Sequence, residues 1–350
     1  MAAKLIGTVL GLSIASLSCV RAPPAQRSGP RPLAAVYAKG LEGDMRAGLK
    51  LLEGIAQDEL TESDRAKYAC MRATFSDRML PAVNVEDRLM ADAIRAYQGY
   101  WLQVLLKELD EEAGDAFLLA KLREVLAAHG HPASEGATLD EVVDLLGSQL
   151  EERGFRNIHG VTAPYYELMA WKTEARQTYQ VALPELVQPT TVVFLSDFAT
   201  LGWSHLATCG VNYSGGWTKP EALYCVKEAY DVASENFQVS YLAHEAQHFA
   251  DNRDFPKLEQ PELEYRAKLA ELSLARDTAR TLVQTFGSRP GDSRSAPHNY
   301  ANKRVVMDLG AAADENVPVP ELNAAARALL LRSSEALKRK GAATVTRLWE

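Results

Sequence analysis

The chain has 350 residues, a formal net charge of −8 and 47% hydrophobic residues. That length can bury a sizeable core and suits two units. An acidic balance with no basic, aromatic-laced cluster argues against a nucleic-acid partner. Residues 1–20 read as a targeting segment. Lys4 is a thin positive start, and Leu5 to Ser18 is an apolar and small-residue stretch, too short for a comfortable membrane span. It ends at Cys19, where two readings stay open. A cysteine after a small residue suits lipid attachment, yet Ser16 stands where a lipoprotein signal has an aliphatic residue, so ordinary cleavage fits too. Either way the protein is expected to be exported, periplasmic or membrane-anchored. Residues 21–34, with Pro23, Pro24, Pro30 and Pro32, read as a tether.

Residues 35–155 read as a helical domain. Apolar residues recur at helical steps over Leu41–Ile55, from Ser63 through Phe75, and over Asp87–Leu109, Ala116–His129 and Leu139–Arg153. No regular 34-residue repeat is present, so a plain bundle and a docking platform or substrate guide are equally compatible. From about residue 155 the composition turns to strands: Tyr165–Met169 leading into Thr178–Leu183, then Thr190–Leu195, Val211–Tyr213 and Ala222–Val226. Strands ahead of helices predict an α+β unit over 156–320, closed by a helix within 321–350. Of the four cysteines, Cys209 and Cys225 flank a turn and are expected to bridge, or else to be buried thiols; Cys70 reads as a small core residue.

The chemistry concentrates at Tyr241–Phe249, which contains His244-Glu245-x-x-His248. On a helix, residues four apart share a face, so two imidazoles can meet one metal ion with Glu245 beside them. Catalytic zinc usually takes a third protein ligand. Asp254 would serve if the chain turned sharply after the helix, but that turn wants glycine where Asp251 stands. Glu264, on a second helix beyond Pro256 and Pro261, is the favoured ligand, and Glu262 is a weaker choice.

With His244, Glu245, His248 and the Glu264–Ala267 segment, the chain resembles the gluzincins, the thermolysin-like zinc metallopeptidases, over roughly residues 165–310. The resemblance implies a sheet with an exposed edge strand before the motif helix and a helical part after it. It implies that Val211, Asn212 and Tyr213 would pair with an extended substrate backbone. One position departs: Lys268 stands where an acidic partner for the histidines often sits, and Glu271 could replace it. After a Gly-, Ser- and Arg-rich loop over 287–296, His298 and Tyr300 are the available donors for an oxyanion, in a loop position that resembles the gluzincin one.

The expectation is a helical domain followed by a zincin-like catalytic domain, with Zn2+ on His244, His248 and Glu264. Glu245 would move the proton, His298 or Tyr300 would hold the oxyanion, and a peptide or protein would be the substrate. Activity should fall in acid as these groups protonate. Two other classes fit the same residues: a non-peptidase zinc hydrolase, and a helical binding or scaffold protein with an inactive zincin site. The ligand types also accept other divalent metals.

Overall fold

A computed structural model describes residues 32–349. The targeting segment, Cys19 and most of the proline-rich tether lie outside these residues. The chain begins with α1 (Ala34–Leu41) and α2 (Met45–Glu53). The sequence pattern suggested one helix from Leu41 to Ile55. Gly43 interrupts it with φ +75°, and the Asp44 side chain accepts the amide of Ala47 to start α2 afresh. Next come α3 (Glu62–Met71), α4 (Arg88–Leu105), α5 (Glu111–Ala128) and α6 (Leu139–Glu152). Thr61 with Asp64 and Thr138 with Glu141 build capping boxes, and Asp87 and Asp110 cap α4 and α5. These local signals explain why the helical half was readable from the sequence.

Five strands form one sheet in the order β1-β2-β3-β5-β4. They are β1 (Arg156–Thr162), β2 (Tyr165–Ala182) and β3 (Val187–Leu201), then, after the short α7 (Trp203–Ala207), β4 (Gly216–Lys219) and β5 (Ala222–Val226). Only β3 and β5 run parallel. The two segments expected at Tyr165–Met169 and Thr178–Leu183 belong to the single long β2, which carries a bulge at Ala170/Trp171. Val211–Tyr213 is not a strand but part of the bend after α7; the edge position belongs to β4. Among the described residues no helix is long and apolar enough to cross a membrane.

The helices and the sheet share a core. Tyr97, Tyr100 and Trp101 of α4 cluster with Tyr165, Tyr166 and Leu168 of β2 and with Trp203. The Trp101 indole donates to the Tyr166 carbonyl at 2.8 Å. A second tie is covalent, and it corrects the expected cysteine pairing. Cys70, at the end of α3, is bonded to Cys209, while Cys225 is a buried free thiol. Cys225 faces the helix packed on β5, among Phe237 and Tyr241, with burial pushing its thiol up to about 12. Cys209 sits beyond α7, beside α3. The bridge closes a sequence separation of 139 residues. Replacing both cysteines by serine is expected to cost about 2–5 kcal/mol. Urea midpoints of the parent and the double variant check this, and coincident midpoints would show that the bridge adds nothing.

Where β3 turns into α7, a buried carboxylate organises the corner. Glu167 Oε1 accepts the amides of Leu168 and Trp203, both at 3.0 Å, and Oε2 accepts the Thr162 hydroxyl at 3.1 Å. Gly202, at φ +87°, leaves the room; a Cβ there would fall 2.1 Å from Oε1. Burial outweighs the three donors and raises the Glu167 carboxyl to about 7. A raised acid contributes stability that is fully present below its unfolded value of 4.5 and lost as pH rises toward 7. Stability should therefore decline by roughly 3 kcal/mol from this group across that window. Glu167→Gln should abolish that part of the slope in urea melts, and parallel declines in both proteins would assign it elsewhere.

Candidate metal centre

A π-helical stretch, Asn236–Ala243, runs directly into α8 (His244–Asp254). Phe237, Tyr241, Leu242, Ala246 and Ala250 pack on the sheet face made by Val192, Phe194, Leu223 and Cys225. That packing directs the polar side of α8 away from the sheet and against α9 (Gln260–Leu274). Every residue of α9 from Pro261 to Leu272 is buried, including Glu262, Glu264, Arg266, Lys268 and Glu271. A helix buried all round that carries five charged groups must satisfy each of them internally.

α9 ends at Leu274. The Glu235 carboxylate accepts the amides of Arg276, Asp277 and Thr278, which stops α9 and starts α10 (Ala279–Ser288). The 289–296 loop follows. Pro297-His298 then opens α11 (Pro297–Leu309), a helix where a loop was expected. Pro297 suits a first helical turn, whose amides need no partner. The closing helix, α12 (Val319–Gly341), buries Leu322, Ala326, Leu330 and Leu337.

His244, His248 and Glu264 come together as a buried group that could hold a metal ion. The two Nε2 atoms are 3.3 Å apart. Glu264 Oε2 lies 3.6 Å from His244 Nε2, and Oε1 lies 3.4 Å from His248 Nε2. A tetrahedral ion with ligands at about 2.0–2.1 Å holds them about 3.3–3.4 Å from one another, so the spacing fits. Glu264 Oε2 is also buried with no aligned hydrogen-bond donor, although His298 Nδ1 lies 2.7 Å away. Burial alone would raise the Glu264 carboxyl, but His244, His248 and His298 hold it well below the usual carboxylate range. Burial pulls the His244 imidazole down; Glu264 and Glu271 outweigh it and push it up to about 10. Any ion that binds here must therefore displace a proton.

The competition for the third position is decided by packing. Asp254 is exposed and paired with Arg253 at 2.8 Å. Glu262 turns to Arg294 at 2.6 Å. Asp251, where a sharp turn would want glycine, continues α8 and receives the Arg266 guanidinium at 2.8 and 2.9 Å. Gln247 donates to the same carboxylate at 2.9 Å. This ion pair clamps α8 to α9.

The remaining groups take definite places. Glu271 Oε2 stands 3.3 Å from His244 Nδ1 and turns Nε2 toward Glu264, the role open to it once Lys268 departs. Lys268 instead lies over the Phe286 ring. Glu245 is 1% exposed, and its Oε2 accepts the Thr218 hydroxyl of edge strand β4 at 2.7 Å. His298 touches Glu264, but Tyr300 rests against Arg294 and Trp349. Sequence reasoning missed Thr218 and the Asp251–Arg266 clamp. Nothing in the sequence singled out Arg266 among the five charged residues of α9. No protein-family model matches the chain, and no curated protein or solved structure matches it.

Proposed function

We propose that the protein is a zinc-dependent peptidase whose metal rests on His244, His248 and Glu264. One observation carries this reading: His244, His248 and Glu264 bring buried ligand atoms together, the two Nε2 atoms 3.3 Å apart, one Glu264 oxygen 3.6 Å from His244 and the other 3.4 Å from His248, with Glu245 next to His244 on the same helix. Zinc in such a setting supplies Lewis acidity, polarising a carbonyl and acidifying water. The chain's own residues do the rest. Glu245 takes a proton from the attacking water and returns it to the leaving nitrogen. Thr218 donates to one Glu245 oxygen and fixes the orientation of the carboxylate. His298, half exposed at the start of α11, is positioned to donate to the developing oxyanion. Glu271 keeps His244 in the tautomer that presents Nε2.

A peptide is favoured over other substrates because of β4. It pairs only with β5, so its outer edge can take an extended backbone, and its Thr218 touches Glu245. Strand addition there would set a peptide bond beside the carboxylate, a role the gluzincin resemblance had implied for Val211–Tyr213. Elemental analysis of the purified protein is expected to find near-stoichiometric zinc, lost in Glu264→Ala. A metal-free parent under non-chelating conditions would end this reading, and zinc unaffected by the substitution would remove Glu264 from the site.

A further inference from the structure

A second site lies at the seam between the helices and the sheet, in a cavity of about 580 Å³. That volume is within the range of small-molecule pockets. Ile94 and Trp101 of α4 and Phe198 of β3 give it apolar walls. Lys67, Gln98 and His205 are among the polar side chains that reach the same space. Lys67 Nζ donates to the Cys209 carbonyl at 2.9 Å, and among the described residues it has no carboxylate partner, so donors remain free. Gln98 is only 9% exposed, yet its side-chain amide makes no hydrogen bond to the protein. His205 is half-buried, and burial, then the charge of Lys67, holds its imidazole below the ordinary range. None of the lining residues is acidic, in a chain with 46 Asp and Glu against 38 Lys and Arg.

The Gln98 amide, open to the cavity and unpartnered within the protein, is available to a ligand. We propose that this cavity binds an N-acylated apolar amino acid with a free carboxylate. Lys67 receives the carboxylate, Gln98 pairs with the amide, and the side chain lies against Trp101, Ile94 and Phe198. A peptide's C-terminal residue and a free N-acyl amino acid share this chemistry. The proposal does not depend on the metal centre being catalytic.

Isothermal titration of the full chain, disulfide intact, tests it with N-acetyl-L-phenylalanine, its carboxamide, and a longer peptide ending in phenylalanine. Saturable binding of the acid is expected, weakened roughly tenfold to a hundredfold in the carboxamide and in Lys67→Met. Gln98→Leu should weaken the acid and the carboxamide alike. Binding of the longer peptide would name a peptide terminus as the source, and binding of the small acid alone would name a free acyl amino acid. The same titration in Glu264→Ala must retain binding, because a carboxylate could otherwise sit at the metal centre. No saturable binding, equal affinity for acid and carboxamide, undiminished affinity in a folded Lys67→Met, or loss in Glu264→Ala would each overturn the assignment.

Discussion

Glu245→Gln is expected to lower peptide hydrolysis by about 10²–10⁴-fold while leaving bound zinc and the unfolding midpoint in place. The substitution keeps the shape and still offers an oxygen to the Thr218 hydroxyl, so the fold has little reason to respond. What it removes is the carboxylate proposed to accept a proton and hand it back. Initial rates on a mixed library of quenched peptides, with metal content measured on the same samples, check the separation. Undiminished turnover would exclude Glu245 from proton transfer. A parent that cleaves esters or glycans but no peptide would keep the zinc chemistry and replace the substrate class.

The largest loss of stability is expected from Arg266→Met. Arg266 is buried between Asp251, Ser333 and Ser334, and lies over the Phe255 ring. Removing it strands Asp251 inside the protein, at a cost of about 3–5 kcal/mol. Burial holds the Asp251 carboxyl above its ordinary range even with the guanidinium beside it. Without Arg266 its folded value climbs further, so the deficit should be smallest near about pH 4 and grow as pH rises. Adding Asp251→Leu to Arg266→Met should recover much of the loss, because apolar replacement of a buried ion pair is often close to neutral. The exposed Arg253–Asp254 pair is the internal control: Arg253→Ala should change stability by no more than about 1 kcal/mol. Urea melts of the four proteins decide it. A single variant as stable as the parent would show that the clamp between α8 and α9 contributes nothing to the fold.

The sequence by itself determined what depends on neighbours along the chain. Helical periodicity located the helical half, because an apolar stripe repeats within one or two turns, while the caps at Thr61, Asp110 and Thr138 set the starts that periodicity alone left approximate. The spacing of His244 and His248 put both imidazoles on one face for the same reason. The α+β composition of the second half was legible from strand-forming runs preceding helical ones. Tertiary structure decided what depends on elements meeting in space. Asp254, Glu262 and Glu264 are similar carboxylates at similar remove from the motif, and only the crossing of α9 over α8 sends one to the histidines, one to Arg294 and one to solvent. Cys209 lies near Cys225 in sequence but pairs with Cys70, since a bridge follows the distance between Cα atoms, 6.1 Å here, and not the spacing along the chain. The edge strand passed from Val211–Tyr213 to Gly216–Lys219 because β character is a local property, whereas an edge exists only once a sheet has chosen its order.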